Sequence, residues 1–333
     1  MKPPIPPAFD PRRRHWLGRA LAAPAALPAL AAALAAPGAR AAEPERLRIG
    51  YQKSSTLMIW LKSQGVLEKA LAPLRVTPDW HEFTSGLPLL EALNVGGLDL
   101  TADVADAVPP FALAAGARMT YYASEAPSPG AQAIVVKGDS GIRSVADLKG
   151  RKVAFAKGAG AHYLLLAALR DAGLSLKDVD PVTLSPADGR AAFERGAIDA
   201  WVIWDPFLAA VQRQGGARIV RDGEGLAAYR RYYLAATPYA GRRHDVLAAV
   251  YAELRSAGAW MKGHPGEAAK WYAPLIGVDE ATAEAANARR SYAVQTMDAA
   301  GLAEQQRIAD AFVAAGVIPR AVTVADAPVW RPA

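Results

Sequence analysis

Two turns in this 333-residue chain combine residue types suited to holding a small negative group. The first, Gln52-Lys53-Ser54-Ser55-Thr56, offers an amide, hydroxyls and backbone N–H groups directly after the strand-like run Leu47 to Tyr51. The second, Lys157-Gly158-Ala159-Gly160-Ala161-His162, offers bare backbone and an imidazole after Lys152 to Phe155. Each turn leads into a helical pattern. A helix N-terminus exposes unsatisfied N–H groups and the positive end of a dipole, worth ~0.3–2 kcal/mol toward an anion. Two such ends facing one another make an anion clamp. Ser54, Ser55 and Thr56 equally suit plain helix capping, and one residue can do both.

The run Trp201-Val202-Ile203-Trp204-Asp205-Pro206-Phe207 ends a buried strand with an indole and a carboxylate. Trp204 either walls a cleft or belongs to the core. Asp205 either accepts a hydrogen bond from a ligand or from the other half of the molecule, or caps the next helix with Pro206 at its first position. Asp106 holds the corresponding place after the strand-like Leu98 to Val104. Such carboxylates would orient donors or lock two parts together. The pattern argues against an enzyme: there is no Gly-x-Ser-x-Gly elbow and no cysteine, and the carboxylates sit in separate turns. Gly158-x-Gly160 has Tyr163 where a dinucleotide fingerprint needs its third glycine, and no P-loop ending exists. The histidines, at 15, 81, 162, 244 and 264, never recur at ligand spacing. Neither cofactor nor metal is expected.

The elements that must carry these turns alternate between strand and helix, the mark of an α/β fold with a largely parallel sheet. Strands are expected at Leu47 to Tyr51, Arg75 to Phe83, Leu98 to Val104 and Met119 to Tyr122, with helices at Ser55 to Leu71 and Leu87 to Val95. A break rich in proline and serine follows, Ser124 to Gly130. The plan then repeats. Arg48-Ile49-Gly50-Tyr51-Gln52-Lys53-Ser54 parallels Lys152-Val153-Ala154-Phe155-Ala156-Lys157-Gly158, and Leu90-Glu91-Ala92-Leu93 before Leu98-Asp99 parallels Arg190-Ala191-Ala192-Phe193 before Ile198-Asp199. Two similar lobes with a cleft between them follow: residues 46–129 plus 238–333 for the first and 130–237 for the second, with a return crossing near Tyr232 to Thr237. The rest reads as helices, Val246 to Met261, Pro265 to Leu275, Asp279 to Arg289 and Leu302 to Ala315, expected to cover the outer face of the first lobe.

The formal charge of +6 sits almost wholly in residues 1–41, where Lys2, Arg12, Arg13, Arg14, Arg19 and Arg40 face Asp10 alone. The body has no footprint for nucleic acid. Residues 1–41 read as an export leader: a basic stretch, an apolar run from Ala20 to Ala36, and a small-x-small site at Ala39-Arg40-Ala41 with cleavage after Ala41. Pro24 and Pro28 interrupt the run, which is too short for a membrane anchor. Arg13-Arg14 followed by His15-Trp16-Leu17 resembles the twin-arginine export signal. The mature chain is expected to be a soluble periplasmic monomer.

Six stretches carry a family resemblance: Ile49 to Lys53, Leu90 to Gly96, Val145 to Gly150, Lys152 to Phe155, Pro186 to Phe193 and Trp204-Asp205-Pro206. Together they resemble the aliphatic sulfonate-binding proteins of ABC importers, from about Leu47 to Trp330. The wider group also binds taurine, nitrate and pyrimidine precursors. The resemblance implies a type II periplasmic-binding fold that holds a small anion, a sulfonate first of all, between its lobes and delivers it to an inner-membrane permease. It implies ligand contacts from Gln52, Ser54, Ser55, Asp106, the turn Gly158, Ala159, Gly160, Ala161 and His162, and from Trp204 and Asp205. Relatives usually have serines where this chain has Ala159, Gly160 and Ala161, and read Gly-Asp closely followed by Pro-Pro where it has Ala105-Asp106-Ala107-Val108 before Pro109-Pro110. Both departures leave room for a ligand bulkier or less charged than an unsubstituted alkanesulfonate. The alternatives are a two-lobed enzyme, which would normally work in the cytoplasm and need no leader, and a structural protein of the envelope, which would bind no small ligand.

Overall fold

The computed structural model describes residues 43–332; the expected leader, its arginine pair and its cleavage site lie outside the described residues. In chain order come β1 (Glu45–Tyr51), α1 (Thr56–Ser63), α2 (Val66–Leu71), β2 (Val76–Glu82), α3 (Gly86–Asn94), β3 (Leu100–Thr101), β4 (Val104–Ala105), α4 (Val108–Ala114) and β5 (Met119–Glu125). The chain then builds β6 (Gln132–Lys137), β7 (Lys152–Phe155), α5 (Gly160–Asp171), β8 (Asp180–Thr183), α6 (Pro186–Glu194), β9 (Ala200–Trp204), α7 (Phe207–Gln214) and β10 (Ala217–Asp222). It ends with β11 (Arg231–Ala236), α8 (Thr237–Arg242), α9 (His244–Gly263), α10 (Pro265–Ile276), α11 (Glu280–Arg289), β12 (Val294–Gln295) and α12 (Ala299–Ala314).

Two sheets form. One runs β12-β5-β11-β3-β1-β2 with β4 joined to β11, the other β10-β6-β9-β7-β8. In each, the first strand pairs in parallel with the second and third strands (β1 with β2 and β3, β7 with β8 and β9), and an antiparallel strand joins beyond, β11 or β6. This is the two-lobed α/β architecture that the resemblance implies. β11, at the stretch expected to bring the chain back, is itself a strand of the first sheet.

The sequence echo has a physical cause. Asp99 N–H donates to Arg48 O at 2.9 Å while Arg48 N–H donates to the Asp99 carboxylate at 3.0 Å. At the echoed position Asp199 N–H donates to Lys152 O at 2.9 Å and Lys152 N–H to the Asp199 carboxylate at 2.8 Å. The aspartate thus docks the third strand on the first. The helix before it ends alike in both copies, on left-handed Gly96 (φ 77°) and Gly196 (φ 70°), where glycine carries no Cβ penalty. The next residue's N–H then reaches back to Ala92 O or Ala192 O.

Two expected elements divide. The helix from Ser55 to Leu71 breaks at Gly65, which turns left-handed at φ 60° between α1 and α2. The strand from Leu98 to Val104 becomes β3 and β4, because Asp103 leaves the ladder to meet a buried arginine. In the tail, α9 packs on α1, α2 and β5, covering the first sheet as expected, while α12 touches both α4 and α5 and so spans the two halves. Among the described residues no helix is long and apolar enough to cross a membrane.

Candidate functional site

The turn after β1 is held by its own residues. Gln52 N–H donates to Ser55 Oγ at 3.2 Å, and Ser55 N–H donates to Gln52 O at 2.8 Å. Ser55 stands at the N-cap of α1 without a side-chain cap bond, so its hydroxyl closes the turn instead. Gln52 Nε2 donates to Asp103 O at 3.1 Å, which points the amide across the end of β3. Ser54 Oγ accepts from Arg231 Nη2 at 3.3 Å.

The turn after β7 is built differently. Gly158 is left-handed at φ 73°, and its N–H donates to His162 Nδ1 at 3.3 Å. Ala159, with no polar side chain, is the N-cap of α5, so the helix opens uncapped. A Cβ at Gly160 would stand 2.5 Å from Tyr229 Cε2 and 3.1 Å from Gln132 Oε1, so the backbone must be bare for the Tyr229 ring to pack on it.

Between these turns lie two neighbouring hollows that share lining residues. The outer, about 330 Å³, is walled by Phe83, Pro186, Trp204 and Phe207, with Gln52 and Ser54 on one side and Lys53 and Glu82 among its other lining residues. The inner, about 10 Å³, is lined by Gln52, Ala159, Gly160, Trp204, Tyr229 and Arg231 among others. It is near the lower limit for a single water-sized group. Gln52 and Trp204 belong to both hollows, which fixes their junction.

The structure therefore brings together Gln52, Ser54, Ala159, Gly160 and Trp204 from the residues expected at a site. Ser55, Asp106, Gly158, Ala161, His162 and Asp205 line neither hollow. His162 stacks on Phe155 with centroids 4.6 Å apart, and burial, then the Lys157 charge, push its pKa down to about 4, so it is neutral. Asp205 Oδ1 accepts Ala209 N–H at 3.0 Å, capping α7, whose N-cap rather than first position is Pro206. Its two oxygens also accept from Arg289 Nη1 at 3.0 and 3.1 Å, tying α7 to α11. Burial pushes the Asp205 carboxyl up to about 7 against the pull of Arg289. The Asp106 carboxyl is fully buried, and both its oxygens lack a hydrogen bond of good geometry, the backbone amides of Ala107 and Tyr229 being its nearest donors. Burial, then the Glu304 charge, raise it to about 8.

Sequence reading missed what lies beneath the inner hollow. Arg231, 1% exposed, donates to Asp103 Oδ2 at 2.6 Å through Nε and to Tyr229 Oη at 2.8 Å through Nη1. Arg290 donates to Glu125 at 2.8 Å, to Asp103 at 3.4 Å and to Ser54 O at 3.2 Å, and Tyr233 Oη donates to Glu125 at 2.7 Å. Two arginines and two carboxylates thus balance one another out of water. Burial works against each guanidinium, but the carboxylates outweigh it and hold both pKa values above the usual arginine value. The signal was faint: Asp103 lies between Ala102 and Val104, and Arg231 opens the run Tyr232 to Ala236, places where a buried charge needs a partner. Among the described residues no group of three or more His, Asp or Glu is placed to hold a metal.

Comparison with known proteins adds five findings. A family described as NMT1/THI5 like matches residues 94–268. The aliphatic sulfonates-binding protein of Escherichia coli (strain K12) is 41% identical over 290 residues, 87% of this chain and 90% of that protein. The crystal structure of the periplasmic aliphatic sulphonate binding protein SsuA from Escherichia coli matches with a TM-score of 0.78 over 86% of this chain and 98% of that one. The alkanesulfonate-binding protein SsuA from Xanthomonas axonopodis pv. citri, solved bound to MOPS, matches with a TM-score of 0.80 at 40% identity over the same shares. The desulfurization enzyme DSZB, 18% identical over 85% of this chain and 96% of that one, matches with a TM-score of 0.61, a likeness of fold alone.

Proposed function

The chain belongs to the aliphatic sulfonate-binding proteins of the NMT1/THI5-like family, and from that membership we propose that it is the exported receptor of an ABC importer. It closes over an organic sulfonate between its lobes and surrenders it, chemically unchanged, to a permease in the inner membrane. Residues 1–41 direct it to the periplasm and are removed there.

The observation that carries this reading is the junction of the two hollows. Ser54, from the turn after β1, lines the outer hollow, Ala159 and Gly160, from the turn after β7, and Arg231, from β11, line the inner one, and Gln52 lines both. A sulfonate seated there meets the uncapped N-terminus of α5, whose dipole and first amides favour an anion. It also meets the Gln52 amide and the Arg231 guanidinium, which Asp103 and Tyr229 fix in place. Because donors come from both turns, only the closed arrangement satisfies the anion. The carbon body lies in the apolar outer hollow.

Nothing at the junction supports turnover. His162 is neutral and packed among aromatic rings, Asp205 is committed to Ala209 and Arg289, and the chain has no cysteine to act as a nucleophile. The test is a thermal-shift series over alkane- and arylsulfonates, sulfate esters, nitrate and pyrimidines, with mass spectrometry of the recovered ligand. A sulfonate at 100 times its Kd should stabilise by about 2.7 kcal/mol and return intact. Stabilisation by nitrate or a pyrimidine with none by any sulfonate, or recovery of a desulfonated product, would overturn the reading.

A further inference from the structure

The outer hollow is large for a head group with a short tail. At about 330 Å³ it falls at the lower end of pockets that enclose whole drug-sized ligands, ~300–1,000 Å³. A two- or three-carbon sulfonate would leave most of it to water. Its walls are also not those of a slot for a flexible chain. Trp204 and Phe207 stand at 85° to one another with centroids 6.1 Å apart, forming a corner of two perpendicular rings, and Phe83 and Pro186 help close the space. A flat ring entering that corner stacks on one aromatic face and presents its edge to the other, the two arrangements the ring quadrupole favours. Trp204 ends β9 at 4% exposure and Phe207 opens α7, so both rings are carried by regular elements and little rotamer freedom is lost on contact.

The charged groups at the outer hollow are one of each sign, Lys53 and Glu82. They do not together select a second charge on the ligand, so discrimination falls to the body's shape and electronics. A further hollow of about 160 Å³ shares Lys53, Pro186, Ala187 and Phe207 and runs on toward Ile276 and Val278, giving a ring room for a substituent.

Resting on the sulfonate reading above, we propose that this protein prefers aryl sulfonates, in which the anion is carried on a flat aromatic ring, to open-chain or saturated-ring sulfonates of the same carbon count. The corner formed by Trp204 and Phe207 sets that preference.

Isothermal titration of the mature chain with benzenesulfonate, cyclohexanesulfonate and hexanesulfonate tests it, since all three carry six carbons and one sulfonate. Benzenesulfonate should bind about 2- to 10-fold more tightly than cyclohexanesulfonate, the increment aromatic pairs add beyond buried area. Phe207→Leu, which keeps apolar bulk and removes one of the two ring quadrupoles, should lower that ratio, with Trp204 retaining part of it. Equal or tighter binding of cyclohexanesulfonate or hexanesulfonate by the unmodified protein overturns the proposal, as does a ratio that Phe207→Leu leaves unchanged. Should Phe207→Leu fail to fold by circular dichroism, the unmodified protein's ratio decides alone. Binding of another sulfonate with no benzenesulfonate bound likewise overturns the aryl preference, whereas nitrate or a pyrimidine bound with no sulfonate at all would overturn the sulfonate reading itself.

Discussion

Replacing Gly160 by alanine should damage the site far more than one methyl group suggests. The added Cβ would lie 2.5 and 2.8 Å from Cε2 and Cδ2 of Tyr229, well inside van der Waals contact. The ring has little room to retreat. Tyr229 is 1% exposed, its backbone is left-handed at φ 51°, and its hydroxyl is held by Arg231 Nη1 at 2.8 Å. Overpacking of this kind costs about 1–3 kcal/mol, which for a chain of this size lowers Tm by roughly 1.5 °C per kcal/mol. The effect on binding is separate. Displacing Tyr229 loosens Arg231, and the loss of one well-placed bond from a charged donor, about 1.5–3 kcal/mol, weakens affinity by about 10- to 100-fold. Scanning calorimetry gives the first quantity and titration with the most strongly stabilising sulfonate the second. Gly266→Ala, in α10 at a position where a Cβ meets nothing within 4 Å, is the control; it should leave affinity unchanged and lower stability not at all, since alanine favours a helix by about 0.5–1 kcal/mol over glycine. Affinity for the sulfonate unchanged in Gly160→Ala would refute the placement of the anion beside Tyr229 and Arg231.

Two further outcomes follow from the buried charges. Asp106 has its carboxyl raised to about 8, so the folded state holds the proton more tightly than the unfolded chain does. The stability this gives is fully present below about pH 4 and is lost as pH rises toward 8. Asp106→Asn should therefore be more stable than the parent at pH 8.5, by up to about 5 kcal/mol, with the gap closing toward pH 4 in urea titrations; a gap independent of pH would show that the carboxyl is not the cause. Glu125→Gln leaves Arg290 short of its strongest partner and should cost about 3–5 kcal/mol in the same assay, while the double variant with Arg290→Met should recover part of that loss. Strict additivity of the two single losses would mean that the pair is not coupled.

What the sequence discloses here is what is local or repeated. The glycine after each helix and the aspartate that begins each third strand recur because each lobe needs the same cap and the same docking bond, so Leu98-Asp99 and Ile198-Asp199 could be matched by eye. The strand-to-helix turns were legible for the same reason, and Gln52, Ser54, Ala159, Gly160 and Trp204 line the hollows between them. The remainder depends on partners far along the chain. Arg231 meets Asp103 across 128 positions, and Arg290 meets Glu125 across 165. No periodicity records such pairings. His162 and Asp205 show the converse: residue types apt for ligand contact are taken up by Gly158 in one case and by Ala209 and Arg289 in the other. Phe207 gives no sign in sequence of the corner it makes with Trp204, because the angle between the rings arises from the bend of the chain between β9 and α7.

The unequal way in which the two sheets draw on the chain sets an order of assembly. Every strand of the second sheet comes from one uninterrupted stretch, Gln132 to Asp222, whereas the first sheet needs β11 and β12 from beyond it. During synthesis the second half can complete its ladder while the first still presents an unfilled edge on β3 and β5. That edge is covered only when Arg231 to Ala236 arrives, and α12, made later still, then closes across both halves. The half that begins first therefore finishes last, and its closures join residues as far apart as Leu100 and Ala235 or Glu125 and Val294, the arrangement that slows folding and prolongs exposure of unpaired strands.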